Sequence, residues 1–250
     1  MPPNHDKVIW LPADWPVPEN IHAGSTTRSG GISKSPYDSL NLAAHVGDDV
    51  KNVLHNRQLL INKLNLPAEP AWLEQVHGCR IIDPADATKK GQADGAYTRC
   101  ANHVCVVLTA DCLPLLICDR GGHETAAIHI GWRGYAKNII AVAIKAFSQH
   151  PRNLLAWIGP CISAGYYEVG AEVREACMIN NRESSDAFTP SRKGHWFADI
   201  QLLVRLQLRN CGLDNIFGGE YCTYRDRELF YSYRRDGITG RIASMIWMDS

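Results

Sequence analysis

Three consecutive segments in the middle of the chain are almost free of polar side chains, and they constrain the fold most. Residues 104–108 (VCVVL) form a continuous apolar run of β-branched type, and residues 113–118 and 125–130 are two further apolar segments. The last two are joined at 119–122 by DRGG, a sequence that favours a tight turn. A strand that is apolar at every position, rather than at alternate positions, is covered on both faces of its sheet. The middle of the chain therefore predicts a sheet with a layer packed against each face.

Helical patterns flank these strands. Residues 136–147 place apolar side chains on one helix face, residues 170–178 and 199–210 predict two more helices, and Asp48 and Asp49 are expected to cap an earlier one. The apolar face predicted for that earlier helix consists of Val50, Val53, Leu54, Ile61 and Leu64. Further strands are predicted at 72–76, 80–82, 154–158 and 241–247. Because strands alternate with helices in part and pair as hairpins in part, we predict a single α/β domain over residues 1–250 with mixed sheets.

The charge balance limits the kind of partner. The 250 residues contain 26 lysines and arginines and 26 aspartates and glutamates, so the formal net charge is zero. A neutral chain lacks the broad positive field that attracts nucleic acid without sequence preference. A chain of this length also buries enough surface to fold without disulfides or structural metal ions. We therefore expect no nucleic-acid partner, with a local basic patch left open as the alternative, and the sequence carries no signal of oligomeric state.

The cysteines and the first residues indicate the compartment. Nine cysteines occur, and no two are spaced as Cys-x-x-Cys, so zinc ribbons and thioredoxin-like motifs are excluded. Residues 1–6 lack the basic and apolar regions with which a secretory signal begins. The most apolar stretch, 104–118, is interrupted by Asp111 and Pro114 and is too short to cross a bilayer. These features predict a cytoplasmic protein with reduced thiols and no membrane partner.

Three strand ends carry the residues best suited to chemistry. Cys112 follows a carboxylate, Asp111, just after the buried run; His129 stands near the end of the next hairpin strand, before a glycine-rich turn (GWRG); and His77 lies in a tight turn. One thiolate and two imidazoles are a feasible ligand set for a catalytic zinc ion, which keeps a fourth position open. Cys112 and His129 could instead form a thiolate–imidazolium nucleophile pair. In a third interpretation, Cys112 packs as a small buried residue and each histidine satisfies a local hydrogen bond.

Three polar residues are candidates for binding substrate or phosphate. Arg28 lies in a glycine-rich loop and could hold a phosphate with two nitrogens, although a solvated loop arginine has the same pattern. Arg133 begins the helix predicted after the GWRG turn, where free backbone N–H groups favour an anion. Asn41 could bond a ribose or a base edge, or cap its own loop. The chain contains no Walker loop or dinucleotide fingerprint, so ATP and NAD are not implied.

Short motifs that include these candidates follow one another from residue 23 to residue 247, at 26–33, 37–42, 74–78, 109–114, 129–134, 159–160, 167–170 and 231–237. They closely resemble the motifs of the YfiH-like laccase-domain family. The resemblance implies a four-layer α/β/β/α fold, similar to the catalytic domain of the CNF toxin, a cysteine-dependent deamidase. It also implies that His77, Cys112 and His129 are ligands of a metal ion, with zinc expected and copper also possible.

The activity that this resemblance implies is purine nucleoside chemistry. It comprises phosphorolysis of adenosine, inosine and 5′-methylthioadenosine to the base and a ribose 1-phosphate, and deamination of adenosine to inosine. The expected partners are therefore purine nucleosides and phosphate. His77, Cys112 and His129 would be catalytic as metal ligands, and Asp111 is the nearest carboxylate in sequence that could carry a proton during deamination.

The older label of that family, multicopper polyphenol oxidase, finds little support in the residues. A blue-copper centre with a trinuclear cluster needs about ten histidine and cysteine ligands, many in His-x-His pairs. This chain has 10 histidines in all and no His-x-His pair. A phenol oxidase with one copper ion on the three ligands stays open. A Cys112–His129 hydrolase or amidase acting on peptides or cell-wall precursors, and a metal-binding module without enzymatic activity, stay open as well.

Overall fold

The computed structural model of the protein describes residues 10–86, 91–179 and 181–250. Residues 1–6, on which the expected lack of a secretory signal rests, lie outside the described residues. The described strands, β1–β13 in chain order, are Trp10–Pro12, Ile21–Thr26, Ile81–Ile82, Gly95–Thr98, Cys105–Thr109, Leu113–Asp119, Thr125–Ile130, Leu154–Ile158, Glu168–Gly170, Phe188–Pro190, His195–Ala198, Ile216–Gly218 and Ile242–Met248. The described α-helices, α1–α6, are Val50–Leu64, Trp132–Ala136, Ile139–Ala146, Ala171–Met178, Ile200–Asn210 and Tyr233–Asp236.

Most of the strands form two large sheets. Four strands pair in the order β1-β2-β13-β5, and each of these pairs is antiparallel. Six strands pair in the order β12-β8-β6-β7-β4-β3, with antiparallel pairs in the centre and a parallel pair at each edge. A smaller sheet has the order β10-β11-β9. The α/β class with mixed sheets is thus confirmed.

The two large sheets pack face to face between two layers of helices. Val107 and Ile246 from the four-stranded sheet meet Leu116 and Ala127 from the six-stranded sheet in the core between them. The outer face of the six-stranded sheet packs on α3, α4 and α5, and the outer face of the four-stranded sheet packs on α1. Strands β5, β6 and β7 are buried at every residue, which explains their continuous apolar sequence. The α/β/β/α layer order is confirmed, whereas the likeness to the CNF toxin and the extent of the domain over residues 1–250 stay predictions.

Helix α1 begins as predicted, but its buried face differs in part from the predicted one. The carboxylate of Asp49 accepts the N–H of Lys51, as expected of a cap. The predicted apolar face was wrong for Val50 and Leu54, which are more than half exposed at 53% and 58%. Val53 is buried as predicted, and Ile61 and Leu64 pack partly buried against the core. The prediction did not include Asn56 and Leu60, which are also buried.

Two further elements are shorter than predicted. The helix predicted at 136–147 is interrupted at Asn138, which takes a left-handed conformation (φ 62°) between α2 and α3. The strand predicted at 72–76 is reduced to one bridge between Glu74 and Gln92, because the N–H groups of residues 76–78 donate to the Asp94 carboxylate instead of to a neighbouring strand.

No helix within the described ranges is long and apolar enough to cross a membrane.

A buried asparagine forms part of the core-facing side of α1. Asn56 is fully buried, and its amide donates to the Ser33 hydroxyl and to the carbonyls of Ser39 and Asn41. Its side-chain carbonyl accepts the N–H of Ile32. Because each polar atom has a partner, the side chain can be buried without a large desolvation cost. Asn56 thereby fastens the loop at 28–42 to the helix layer.

We expect Asn56→Ala to destabilise the protein by about 3 kcal/mol, since it leaves several buried donors and acceptors unpaired. Alanine has the higher helix propensity, so the helix itself would favour the substitution and cannot be the cause of a loss. The measurement is urea unfolding, with Gln58→Ala on the exposed side of α1 as the matched control, expected to change the free energy of unfolding by less than about 0.5 kcal/mol. Equal unfolding midpoints for the two variants would contradict this role of Asn56.

Candidate metal centre

The hairpin of β6 and β7 brings Cys112 and His129 to one end of the six-stranded sheet. Leu113, the first residue of β6, pairs with Ile130, the last residue of β7. Cys112 precedes this pair directly, and His129 lies one residue inside it. Residues 110–112 also connect β5, in the four-stranded sheet, to β6 in the six-stranded sheet. The two side chains therefore lie where the two sheets meet.

A fully buried carboxylate, Asp94, joins the two histidines. It precedes β4, whose pairing with β7 places it beside His129. One oxygen accepts Nδ1–H of His129 at 2.8 Å and the backbone N–H of His77 at 2.9 Å, and the second oxygen accepts the N–H groups of Gly78 at 2.6 Å and Val76 at 3.2 Å. Burial alone would raise the pKa of Asp94, but the hydrogen bonds and the charge of His129 outweigh it and lower the pKa. Asp94 thus fixes both the ring of His129 and the turn that carries His77.

The ligand atoms of His77, Cys112 and His129 all lie within 4.8 Å of one another. Sγ of Cys112 is 3.8 Å from Nε2 of His77, and the two imidazole rings are 4.8 Å apart at an angle of 77°. Atoms that share one tetrahedral ion at ~2.0–2.3 Å are roughly 3.3–3.7 Å apart, so small movements would close the set on a metal. Because Nδ1 of His129 donates to Asp94, its Nε2 is free to bind. One sulfur and two imidazole nitrogens fit zinc or copper by their chemistry.

Gly131 lies against two of the three ligands. A Cβ at this position would be 2.8 Å from Cδ2 of His77 and 3.2 Å from Sγ of Cys112. Its φ of −91° is one that any residue adopts, so space rather than backbone conformation requires glycine here. The backbone between β7 and α2 therefore closes one side of the ligand set.

The histidines favour the thiolate form of Cys112. Burial would raise the pKa of this thiol, but the charge and hydrogen bond of His129, together with those of His77, outweigh it and lower the pKa to about 6. Burial would likewise lower the pKa of His129, but Cys112 and Asp94 raise it. In contrast, burial raises the pKa of the Cys105 thiol to about 12. The surroundings of Cys112 therefore favour its thiolate, the form that binds metals and acts as a nucleophile.

The ligand set opens into a cavity of about 330 Å³, a volume within the range of small-molecule sites. Its lining residues come from both large sheets, from four loops and from the start of α6, and they are His45, Gln75, His77, Leu108, Thr109, Ala110, Cys112, His129, Tyr233 and Arg241. The sequence patterns did not point to His45, Gln75, Tyr233 or Arg241. Of these, Gln75 and Tyr233 stand in short motifs, at 74–78 and 231–237, that could have drawn attention to them.

Asp111 is bonded to neighbouring chain segments through both carboxylate oxygens. Oδ1 accepts the hydroxyl of Thr223 at 2.7 Å, and Oδ2 accepts the backbone N–H of Arg234 at 2.6 Å. Asp111 has a φ of +93° at the centre of the crossing from β5 to β6, and it is not among the residues that line the cavity. These contacts give it a part in placing Cys112, and its role as a proton carrier stays a prediction.

Arg28 and Asn41 are also outside the cavity wall. Nε of Arg28 donates to the carbonyl of Asp38 at 3.0 Å, and the guanidinium lies 4.8 Å from the centre of the Tyr231 ring. Asn41 is fully buried, and its side-chain carbonyl accepts the backbone N–H of Arg241 at 3.0 Å. Their roles in binding substrate or phosphate stay predictions.

Arg133 lines a second cavity of about 400 Å³, together with Trp132, Tyr167 and two further arginines, Arg192 and Arg234. Its guanidinium stacks over the Trp132 ring at 4.3 Å from the ring centre. Trp132 follows Gly131 directly, so the second cavity adjoins the ligand set without sharing the lining of the first. The phosphate-binding role of Arg133 stays a prediction.

Curated relatives match the chain over nearly its whole length. It is 47% identical over 235 residues to proteins named purine nucleoside phosphorylase YfiH from Shigella flexneri and from Escherichia coli (strain K12), covering 94% of this chain and 96% of each relative. Among solved structures, that of a Neisseria meningitidis protein has a TM-score of 0.93 and 41% identity, covering 96% of this chain and 99% of the Neisseria chain.

The family assignment follows from these matches. The sequence profile described as multi-copper polyphenol oxidoreductase laccase matches residues 22–249. That range includes the three ligands and the strands that hold them, and the resemblance drawn from the short motifs is confirmed. The chain belongs to the multi-copper polyphenol oxidoreductase laccase family, as one of its YfiH-like members.

Proposed function

We propose that this protein is a metal-dependent purine nucleoside phosphorylase. The observation that carries the proposal is the convergence of His77, Cys112 and His129 on one cavity, in a chain 47% identical to proteins named for this activity. In the reaction, a phosphate oxygen forms a bond to C1′ of the ribose while the bond from C1′ to the purine nitrogen breaks. The electron pair of that bond leaves with the purine nitrogen, which then takes up a proton.

The residues of the site support this chemistry in distinct ways. Asp94 holds His129 in one orientation and one tautomer, because its carboxylate accepts Nδ1–H. Cys112, as a thiolate, supplies the negative ligand of the set. The cavity walls from Leu108 to Ala110 are largely apolar and would shield a bound nucleoside from water. A metal ion on these ligands would supply a fixed positive charge and acidify a coordinated water.

The finer parts of the proposal concern the metal and the substrates. Zinc suits a set of two imidazoles and one thiolate with an open fourth position, and copper is the second candidate because it binds such ligands at least as tightly. Adenosine, inosine and 5′-methylthioadenosine are the proposed nucleosides. Deamination of adenosine is proposed as a second activity of the same site, since water in place of phosphate would be directed at C6 of the base.

One observation favours a second candidate function, a hydrolase with Cys112 as the covalent nucleophile. The pKa of the Cys112 thiol is lowered to about 6 and the pKa of His129 is raised, which is the charge distribution of a thiolate–imidazolium pair. The Asp94–His129 hydrogen bond would orient that base in the same way as it orients a metal ligand. Substitution of a metal ligand and alkylation of the Cys112 thiol distinguish the metal-dependent phosphorylase from the hydrolase.

We expect Cys112→Ala and His129→Ala each to lose the bound metal and at least about 1,000-fold in kcat/KM for phosphorolysis, because each removes one of three ligands. Metal content is measured by mass spectrometry after dialysis, and phosphorolysis by release of the base. Cys100→Ala, at an exposed cysteine away from the cavity, is the matched control and should keep both metal and activity. Full activity in a metal-free Cys112→Ala protein would refute the metal-dependent function.

Gly131→Ala is expected to weaken metal binding by about 10–100-fold with little loss of stability, since the added methyl group pushes on His77 and Cys112. The measurement is competition with a chelator, followed by a melting curve of the metal-free protein. Gly165→Ala is the matched control, because a Cβ at Gly165 meets nothing within 4 Å. An unchanged chelator midpoint in Gly131→Ala would show that the ligands do not need the space that glycine leaves.

In the metal-free protein, alkylation of Cys112 by iodoacetamide should rise with pH through a midpoint near the thiol pKa of about 6. An ordinary thiol would reach its midpoint at roughly 8.5, so the lowered pKa makes Cys112 reactive at neutral pH. Peptide mass spectrometry assigns the adduct, and bound metal should protect the residue. An enzyme that a chelator leaves fully active but that alkylation of Cys112 inactivates would support the hydrolase instead.

A further inference from the structure

The described lining of the cavity beside the candidate metal ligands includes one arginine and no carboxylate. Among the described residues that line it, none is an aspartate or a glutamate, whereas Arg241 and three histidines are present. The pKa of His45 at the cavity wall is lowered, first by burial and then by the positive charges of Arg241 and Arg57. The cavity is therefore suited to an anion.

Two nitrogens of the Arg241 guanidinium have no hydrogen-bond acceptor among the described residues. Its Nη1 donates to the carbonyls of Thr239 at 2.8 Å and Gly240 at 2.9 Å, which fixes the guanidinium at the start of β13. Within the part of the chain that the structure describes, its Nε and Nη2 donate to no acceptor and no carboxylate forms an ion pair with it. A partly buried guanidinium with two free donors is a fork that fits two oxygens of a phosphate.

Hydrogen bonds fix the backbone of Arg241 as well as its side chain. Its N–H donates to the side chain of the fully buried Asn41, and β13 continues from Ile242 into the centre of the four-stranded sheet. Thr109, which is opposite Ile242 in that sheet, also lines the cavity, and its buried hydroxyl has no partner among the described residues. The fixed guanidinium of Arg241 is therefore a prepared binding group for an oxyanion at the cavity wall.

We propose that Arg241 binds the phosphate co-substrate beside the metal ligands. This inference rests on the proposed phosphorylase function, and it identifies the residue that binds the phosphate in that reaction. Arg28 and Arg133, the arginines predicted from sequence, do not line this cavity.

The test uses the metal-loaded enzyme with Arg241→Lys and Arg241→Gln. Lysine keeps the positive charge but cannot bind two phosphate oxygens at once as arginine does. We therefore expect the KM for phosphate to rise about tenfold or more in Arg241→Lys and further in Arg241→Gln. The KM for the nucleoside should change less than about twofold. Calorimetric titration with inorganic phosphate should show the same loss of affinity. Arg209→Lys, at an exposed arginine of α5, is the matched control. Metal content and melting temperature are compared for all variants.

A second measurement needs no variant. Phenylglyoxal modifies accessible guanidinium groups, and inorganic phosphate should protect Arg241 of the wild-type enzyme from modification, as followed by peptide mass spectrometry. An unchanged KM for phosphate in folded, metal-loaded variants, or modification of Arg241 that phosphate does not slow, would overturn the inference. Adenosine 5′-monophosphate is titrated in parallel, and protection by the nucleotide alone would overturn it as well.

The proposed function and this inference can fail separately. If the wild-type enzyme releases no base from nucleosides in the presence of phosphate, the phosphorylase function is refuted, whereas calorimetry and protection still decide whether Arg241 binds phosphate. If phosphorolysis occurs but the Arg241 variants keep the wild-type KM for phosphate, the function stands and the inference is refuted.

Discussion

The candidate metal centre depends on one buried carboxylate. Asp94 accepts four N–H groups, three from the turn at 76–78 and one from the ring of His129. An isolated carboxylate would be costly to bury, but four donors compensate for its lost hydration. The same four bonds hold an irregular turn and an imidazole in fixed positions before a metal arrives, so little conformational freedom remains to be lost on binding.

The position of the centre follows from how the two sheets are connected. The chain leaves the four-stranded sheet at the end of β5 and enters the six-stranded sheet at β6, and Cys112 is the last residue of that crossing. Polar side chains at the connection between the two sheets can line a cavity, while β5 and β6 on either side of it stay buried and apolar. A rigid frame thereby carries reactive groups without interrupting its own hydrophobic cores.

Elements and residues that a local sequence pattern marks could be predicted from the sequence. Residues that reach the site only through the pairing of distant strands could not. Strands buried on both faces are apolar throughout, so β5–β7 could be predicted directly, and the three ligands stood out as chemically distinctive residues near strand ends. Asp94 could not be recognised in this way, because its role arises only when β4 pairs with β7. Arg241 likewise lies 129 residues after Cys112 and enters the cavity through the pairing of β13 with β5. The buried face of α1 was missed because Asn56 is polar in sequence and fully paired in the fold.

The alternation of side chains along β7 has a consequence for the kinds of mutation that this gene can tolerate. Ile128 and Ile130 belong to the core beneath the helices, while Ala127 belongs to the core between the sheets, so His129 points to the side of the second core. Deleting one residue within β7 would reverse these directions, placing an isoleucine among the candidate metal ligands and an imidazole among the helices. Deletions of a single codon in this strand should therefore be lost from populations more completely than substitutions that preserve its length.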